Sequence, residues 1–242
     1  MADLSLEGRI AAVTGGGRGL GRAIVRGLAA EGAEVAFSYH DSRTGAEEEA
    51  ERLRRDGRRV FVARADARVR GQVARFVDEA AGALGGLDVL VNNVGVFRRV
   101  PLDELSEEHL DEAFDVNVKA AVMASRAAAP HLKRRGGGAI VNVASLGALR
   151  PWKAYLPYCA SKAALVMATR VLALALAPEI RVNAVAPGVL DPPGASGSLV
   201  EKVPLRRFGA HAEAVEAVLF LAARAAYTTG EVVTVDGGRG LA

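Results

Sequence analysis

The sequence predicts an open α/β fold, a doubly wound parallel sheet of seven strands with helices on both faces. Three observations carry that expectation. Short β-branched runs alternate with longer Ala-, Leu- and Arg-rich stretches of helix length. A glycine cluster joins the first run to the first helical stretch. No internal repeat and no long Pro/Gly/Ser linker interrupts the alternation, so residues 1–242 are expected to form a single domain.

The elements follow in order. The apolar run Ile10-Ala11-Ala12-Val13 marks a strand at 9–13, and a helix is expected at 20–31 behind the glycines. Val35 and Phe37 mark a strand at 34–39, followed by a Glu/Arg-rich helix at 44–56. Val60-Phe61-Val62 gives a strand at 59–65 and a helix at 71–84. Val89-Leu90-Val91 gives a strand at 87–91, before one long helix at 107–135. Ile140-Val141 lies in a strand at 139–144, and a helix is expected at 158–177. The last strands, 181–185 and 231–235, flank a helix at 212–224. Right-handed crossovers place ligands at the carboxyl edge of such a sheet.

Composition narrows the function classes. Half of the residues are hydrophobic and 24% are charged, a globular balance. The net charge of +3 comes from Arg scattered among acids, without a basic stripe interleaved with aromatics, so no nucleic-acid partner is expected. Cys159 is the only cysteine, and His40, His109, His131 and His211 lack metal-ligand spacing, so no disulfide and no metal are expected. Residues 1–8 contain no apolar signal-like run. The apolar stretch 163–177 is broken by Thr169 and Arg170 and reads as a buried helix. A cytoplasmic protein with no membrane partner is expected.

Between strand one and helix one stands Thr14-Gly15-Gly16-Gly17-Arg18-Gly19-Leu20-Gly21. Glycines there allow a tight turn and a close backbone approach to a diphosphate, and the helix start adds free N–H groups. The spacing Thr14-Gly15-x-x-x-Gly19-x-Gly21 resembles that of the short-chain dehydrogenase/reductase family. Further motifs continue the resemblance in the family's order: Asp66, Asn92-Asn93-Val94-Gly95 (with Val94 where Ala is usual), Asn117, Ser145, Tyr158-x-x-x-Lys162, Pro187-Gly188 and Asp236-Gly237-Gly238. The likeness covers nearly the whole chain. It implies a Rossmann-type fold, a nicotinamide cofactor and an oxidoreductase.

The cofactor expected is NADP(H) rather than NAD(H). An NAD-type site commonly ends strand two in a carboxylate that holds the ribose hydroxyls; here that position is Tyr39. Arg18, His40, Ser42 and Arg43 offer donors to a 2′-phosphate. Asp41, turned inward, would restore an NAD-like site. Gly15, Gly17, Gly19, Leu20, Gly21, Asp66, Ala67, Asn93, Val94, Gly95, Pro187, Gly188 and Val189 complete the expected cofactor contacts. Asp88 reads as structural support for the loop after strand four, and Asn92 as structural too.

Tyr158 and Lys162, four apart, share a helix face, where an ammonium lowers a phenol's pKa. Tyr158 can then exchange a proton with a carbonyl or alcohol oxygen, while the Ser145 hydroxyl holds that oxygen. In the family pattern Lys162 also binds the nicotinamide ribose, and Asn117 holds a water of a proton relay. Tyr155 lacks a lysine four residues on, because Cys159 stands there.

Two branches of the family compete for the substrate. Gly19 and Ser145 resemble carbonyl and 3-oxoacyl-thioester reductases; Tyr39-His40-x-Ser42 and Phe97 resemble pteridine reductases, which commonly carry Arg at position 19 and often Asp at 145. Phe97, Ser145, Trp152, Lys153 and Leu190 are candidate pocket residues, Trp152 being equally suited to packing or to an interface. The expected lid at about 188–210 is short, and Pro192 stands where a Thr usually contacts the nicotinamide. A dinucleotide sensor without turnover is the non-enzymatic alternative. The resemblance implies a homotetramer or homodimer built on the helices at 107–135 and 158–177.

Overall fold

The computed structural model describes residues 6–191 and 200–242. Its seven strands are β1 (Ile10–Thr14), β2 (Glu34–Tyr39), β3 (Val60–Arg64), β4 (Val89–Asn92), β5 (Gly138–Val143), β6 (Ile180–Pro187) and β7 (Val232–Val235). They form one sheet in the order β3-β2-β1-β4-β5-β6-β7, every neighbouring pair parallel. The order reverses between β1 and β4, which opens a crevice at their carboxyl ends.

Burial on both faces explains the unbroken apolar runs: every residue of β1 and β4 is buried. Alternate side chains enter opposite cores. Val13, Phe37 and Val91 pack with Ile24 and Leu28 of α1 (Gly19–Ala30), Leu53 of α2 (Arg43–Arg55) and Val218 of the later helix His211–Leu219. Ala12, Leu90 and Ile140 pack with Phe76 of α3 (Gln72–Leu84) and with the two long helices beyond it. Truncating a fully buried residue such as Leu90 to Ala would cost about 2–5 kcal/mol.

The long helix expected at 107–135 is interrupted. α4 (Glu107–Phe114) passes into a π-turn, Asp115–Lys119, before α5 (Ala120–Arg134). The wider turn admits one extra residue and turns Asn117 inward. Its Oδ1 accepts the Val96 N–H at 2.8 Å, and its Nδ2 donates to the Val96 carbonyl at 3.2 Å and to Ser161 Oγ at 2.9 Å. These bonds stabilise a bulge that apolar periodicity does not reveal. The helix expected at 212–224 likewise stops at α7 (His211–Leu219) and continues as a π-turn, Phe220–Arg224.

α6 (Leu156–Leu176) begins earlier than expected, with Pro157 in its first turn, where a missing N–H costs nothing. It is also less buried than expected. Lys162, Leu165, Val166, Thr169 and Ala173 face inward, whereas Met167, Val171 and Leu174 are exposed. Its length and mean hydropathy of 1.6 suit a membrane span, but its inner face packs on β6 and carries Lys162.

Asp88 is buried before β4, at the amino edge of the sheet. It accepts from Arg9 at 2.9 Å, the Ile10 N–H at 2.9 Å and Arg135 at 3.1 Å. It therefore ties β1 and the end of α5 together rather than supporting the loop after strand four. Asn92 is structural as expected: its buried Nδ2 donates to Asn142 Oδ1 at 2.9 Å and Ser125 Oγ at 3.0 Å.

Candidate active site

The β1–α1 turn is built for close approach. The Gly15 N–H donates to Ser38 Oγ at 3.0 Å and the Gly16 N–H to the Ser38 carbonyl at 2.7 Å, pinning the turn to β2. Gly15 has φ +71° and Gly19 φ +52°, backbone that suits glycine. A Cβ on Gly21 would run into the Gly15 carbonyl and the Asn93 amide. Arg18 precedes α1 without a side-chain cap, so the first N–H groups of the helix meet the cleft. Glycine backbone, uncapped N–H groups and a helix N-terminus together fit a dinucleotide diphosphate.

A cleft of about 450 Å³ opens above this turn. It brings together the predicted Gly15, Arg18, Gly19, Leu20, Gly21, Tyr39, His40, Ser42, Asp66, Ala67, Asn93, Val94 and Gly95. Asn93 holds the turn: its N–H bonds Thr14 Oγ1 at 3.0 Å, and its Nδ2 donates to the carbonyls of Thr14 and Gly15 at 3.1 and 3.0 Å. Gly17 stands behind the lining, its carbonyl accepting from Arg22 at 2.6 Å. Arg43 turns away from the cleft to Glu47, 2.7 Å off along α2.

The β2–β3 edge of the cleft carries a charged group that sequence reasoning missed in part. His40 lies between two carboxylates, its Nδ1 2.8 Å from Asp41 and its Nε2 3.1 Å from Asp66. Arg68 completes the group, 3.0 Å from His40 Nε2 and 3.0 Å from Asp66 Oδ1. Burial pushes the Asp66 carboxyl up, but hydrogen bonds from the Arg68 side chain and N–H outweigh it and hold the group below its ordinary range. Arg68's place two residues after Asp66 is the only signal the sequence offered. Asp41 also borders the cleft, but its side chain is 73% exposed and paired with His40 rather than turned inward.

A second hollow of about 410 Å³ adjoins the first, sharing Leu20, Asn93, Gly95 and Val96. It gathers Phe97, Ser145, Tyr158, Lys162, Pro187, Gly188 and Leu190, with His211, which sequence reasoning did not single out. Two spacings place this set. Ser145 follows β5 and caps a short 3₁₀ turn, its Oγ accepting the Gly147 N–H at 3.1 Å. Tyr158 and Lys162 come one turn apart on α6. Asn117 is fully buried behind the hollow. Val189 faces a separate recess, and Pro192 lies outside the described residues.

The electrostatics differ from the expected pairing. Lys162 is 3% exposed, and its Nζ donates to the Val143 carbonyl at 2.7 Å. Burial lowers this amine from 10.5 to about 8. Burial also raises the Tyr158 phenol, and a hydrogen bond with Ser145 opposes that rise. Lys162 thus does not depress the Tyr158 phenol in this arrangement: its nitrogen is engaged by the β5 carbonyl, and burial favours the uncharged form of both groups.

Aromatic rings wall the outer side. Phe97 stacks on Tyr155 at 4.8 Å between centroids and meets Tyr158 edge-on at 4.7 Å. Trp152 lies nearly parallel to Tyr158 at 6.0 Å, on the aromatic wall beside the hollow. Among the described residues, no group of three His, Cys, Asp or Glu side chains is placed to hold a metal.

A family model described as enoyl-(acyl carrier protein) reductase matches residues 15–239. An uncharacterized oxidoreductase of Methylorubrum extorquens is 39% identical, over 96% of this chain and 98% of its own. The 3-oxoacyl-[acyl-carrier-protein] reductase of Staphylococcus epidermidis is 35% identical, over 94% of this chain and 97% of its own. The crystal structure of a blue fluorescent protein from a metagenomic library, in complex with NADPH, is 38% identical with a TM-score of 0.91, covering 97% of this chain and 99% of its own.

Proposed function

The chain belongs to the short-chain dehydrogenase/reductase family, and from that premise we propose an NADP(H)-dependent oxidoreductase that interconverts a carbonyl and an alcohol. The observation that carries the proposal is that Ser145, Tyr158 and Lys162 line one hollow, which adjoins the glycine-turn cleft.

A nicotinamide bound in the cleft supplies or accepts the hydride. The chain's own residues manage the proton and the geometry. Tyr158 gives its phenolic proton to the carbonyl oxygen in reduction and takes it back in oxidation. Ser145 donates to the same oxygen as charge gathers there. Lys162, its Nζ held by the Val143 carbonyl, would bind the nicotinamide ribose, as in the family pattern. Asn117 is a positioning residue that holds the Val96 backbone and, in the family pattern, a relay water.

For the cofactor, Gly15, Gly19, Leu20 and Gly21 would hold the diphosphate, with Gly17 shaping the turn behind them, and Asp66 and Ala67 would hold the adenine. Asn93, Val94 and Gly95 would border the adenosine side, and Pro187 and Gly188 the nicotinamide, while Val189 faces the separate recess. Arg18, His40 and Ser42 would receive a 2′-phosphate. Tyr39 in place of an acid, and a relative solved with NADPH, support NADP(H) over NAD(H).

Phe97 and Leu190 would line the substrate side of a single domain; of the lid expected at about 188–210, residues 192–199 lie outside the described residues. A 3-oxoacyl thioester is the first substrate class to test, on the relative of that name. A cytoplasmic homo-oligomer is part of the reading, assembled on the exposed Met123, Met167, Val171 and Leu174 of α5 and α6.

The test is NADPH and NADH consumption with an acetoacetyl thioester, a diketone, a steroid ketone and dihydrobiopterin. Faster NADPH consumption with a ketone is the expected result. Preference for dihydrobiopterin would replace the reading with pteridine reduction. Binding of NADPH without turnover of any of the four would leave a dinucleotide sensor.

A further inference from the structure

The aromatic wall beside Tyr158 has a cation at its rim that no carboxylate claims among the described residues. The guanidinium of Arg239 sits over the Trp152 indole, 5.6 Å from the ring centroid. The tail that carries it is shaped by Asp236, whose carboxylate accepts the Gly238 N–H at 2.9 Å and the Gly240 N–H at 2.6 Å. Arg239 is half-buried and has no ion pair or side-chain hydrogen bond among the described residues. A guanidinium held over a ring without a protein acceptor keeps N–H groups for a ligand, and its fork geometry matches a carboxylate.

The surroundings point the same way. The Val100 N–H donates to the Ala154 carbonyl at 2.7 Å, tying the loop that carries Phe97 to the loop that carries Trp152. Along these loops Arg99, Arg150 and Lys153 are exposed, and none has an ion-pair partner among the described residues. Phe97, itself 61% exposed, offers a flat face for stacking beside the reacting phenol. A flat apolar wall with an unanswered positive rim selects a planar anion over a neutral or cationic compound.

We infer that Arg239 and Trp152 form a carboxylate-recognition subsite, with Phe97 and Tyr155 holding a planar body, so that the preferred substrate is an aromatic carbonyl compound bearing a carboxylate. The inference rests on the oxidoreductase reading for the identity of the reacting carbonyl, but not for the binding itself.

Trp152 is the chain's only tryptophan, so its fluorescence reports on this place alone. The full chain with NADP⁺ is titrated with 4-acetylbenzoate and with its neutral counterpart 4-acetylbenzamide. The carboxylate is expected to bind about tenfold or more tightly, a difference expected to shrink with added salt. Arg239→Gln should remove the difference and leave the amide's Kd unchanged, and Arg239→Lys should keep part of it. Equal Kd values in the wild type, a preference that survives Arg239→Gln, or no quenching by either compound overturns the subsite. NADPH consumption separates the two readings. Selective binding without consumption overturns the oxidoreductase reading alone, and consumption without selectivity overturns the subsite alone.

Discussion

The Lys162 ammonium donates a 2.7 Å hydrogen bond to the Val143 carbonyl at the end of β5. The bond fixes the amine at the head of the sheet, and burial there lowers its pKa to about 8. The folded protein then releases this proton near pH 8, while an unfolded chain keeps it to about pH 10.4. Between those values the unfolded state binds more protons, so stability rises with pH across the window. Below it, the full cost of burying the charge is felt. Lys162→Met removes that cost. Its Tm relative to wild type should be highest at pH 7 and should fall by roughly 5–10 °C by pH 10. A difference that stays flat over this range would show that the buried amine is not the titrating group.

Tyr158→Phe keeps the ring that packs on Phe97 and Trp152 and removes only the exchangeable proton. A kcat lowered by about 10²–10⁴-fold is expected, with NADPH affinity unchanged by fluorescence titration. Because burial raises the wild-type phenol, alcohol oxidation should quicken as pH rises, since that direction needs the phenolate. Turnover surviving the substitution would remove Tyr158 from the chemistry.

Gly21 and Gly19 make a controlled pair within one turn. A Cβ on Gly21 meets the Gly15 carbonyl, backbone that cannot move without opening the turn. Gly21→Ala should weaken NADPH binding by about 100-fold and lower stability by about 1–3 kcal/mol. At Gly19 nothing lies within 4 Å, and the cost is that of φ +52° alone, about 1–2 kcal/mol. Gly19→Ala should therefore fold and bind with a smaller loss. Equal damage from both, by calorimetry and titration, would contradict a cradle closed at Gly21 and open at Gly19.

The sheet was readable because parallel strands covered on both faces need unbroken apolar runs such as Ile10-Ala11-Ala12-Val13. Tyr158 and Lys162 were readable because helical spacing alone puts positions i and i+4 together. Asn117 was readable by motif order, but the π-turn that turns it inward was not, since its bonds run to Val96 and Ser161, remote in sequence. Arg43 and Arg68 show the same limit from both sides. Each is an arginine near a strand end with a local carboxylate partner, Glu47 for one and Asp66 for the other, and the remote contact of Arg68 with His40 is what marks the one that reaches the cleft. The direction of Lys162 was hidden too, because its partner is a backbone carbonyl, and no side-chain pattern marks that.

Cofactor choice can be tested at Tyr39, the last residue of β2 and part of the cleft lining. The cluster beside it is close to electrically balanced, with Asp41 and Asp66 set against Arg68 and the exposed Arg18. Tyr39→Asp adds a carboxylate where the family's NAD-type site holds the ribose hydroxyls. Against a doubly charged 2′-phosphate at about 4 Å, each like-charge contact costs up to about 4 kcal/mol at an effective dielectric constant of 20. Screening by Arg18 and Arg68 reduces this, so the NADPH/NADH ratio of kcat/KM should fall by about 10²–10³-fold. The Kd of 2′,5′-ADP should rise while that of ADP does not, a readout independent of turnover. Arg18→Ala should move both quantities the same way but less, because it removes an attraction without adding a repulsion. A wild type that prefers NADH, or a ratio untouched by Tyr39→Asp, would overturn the assignment of the phosphate to this edge.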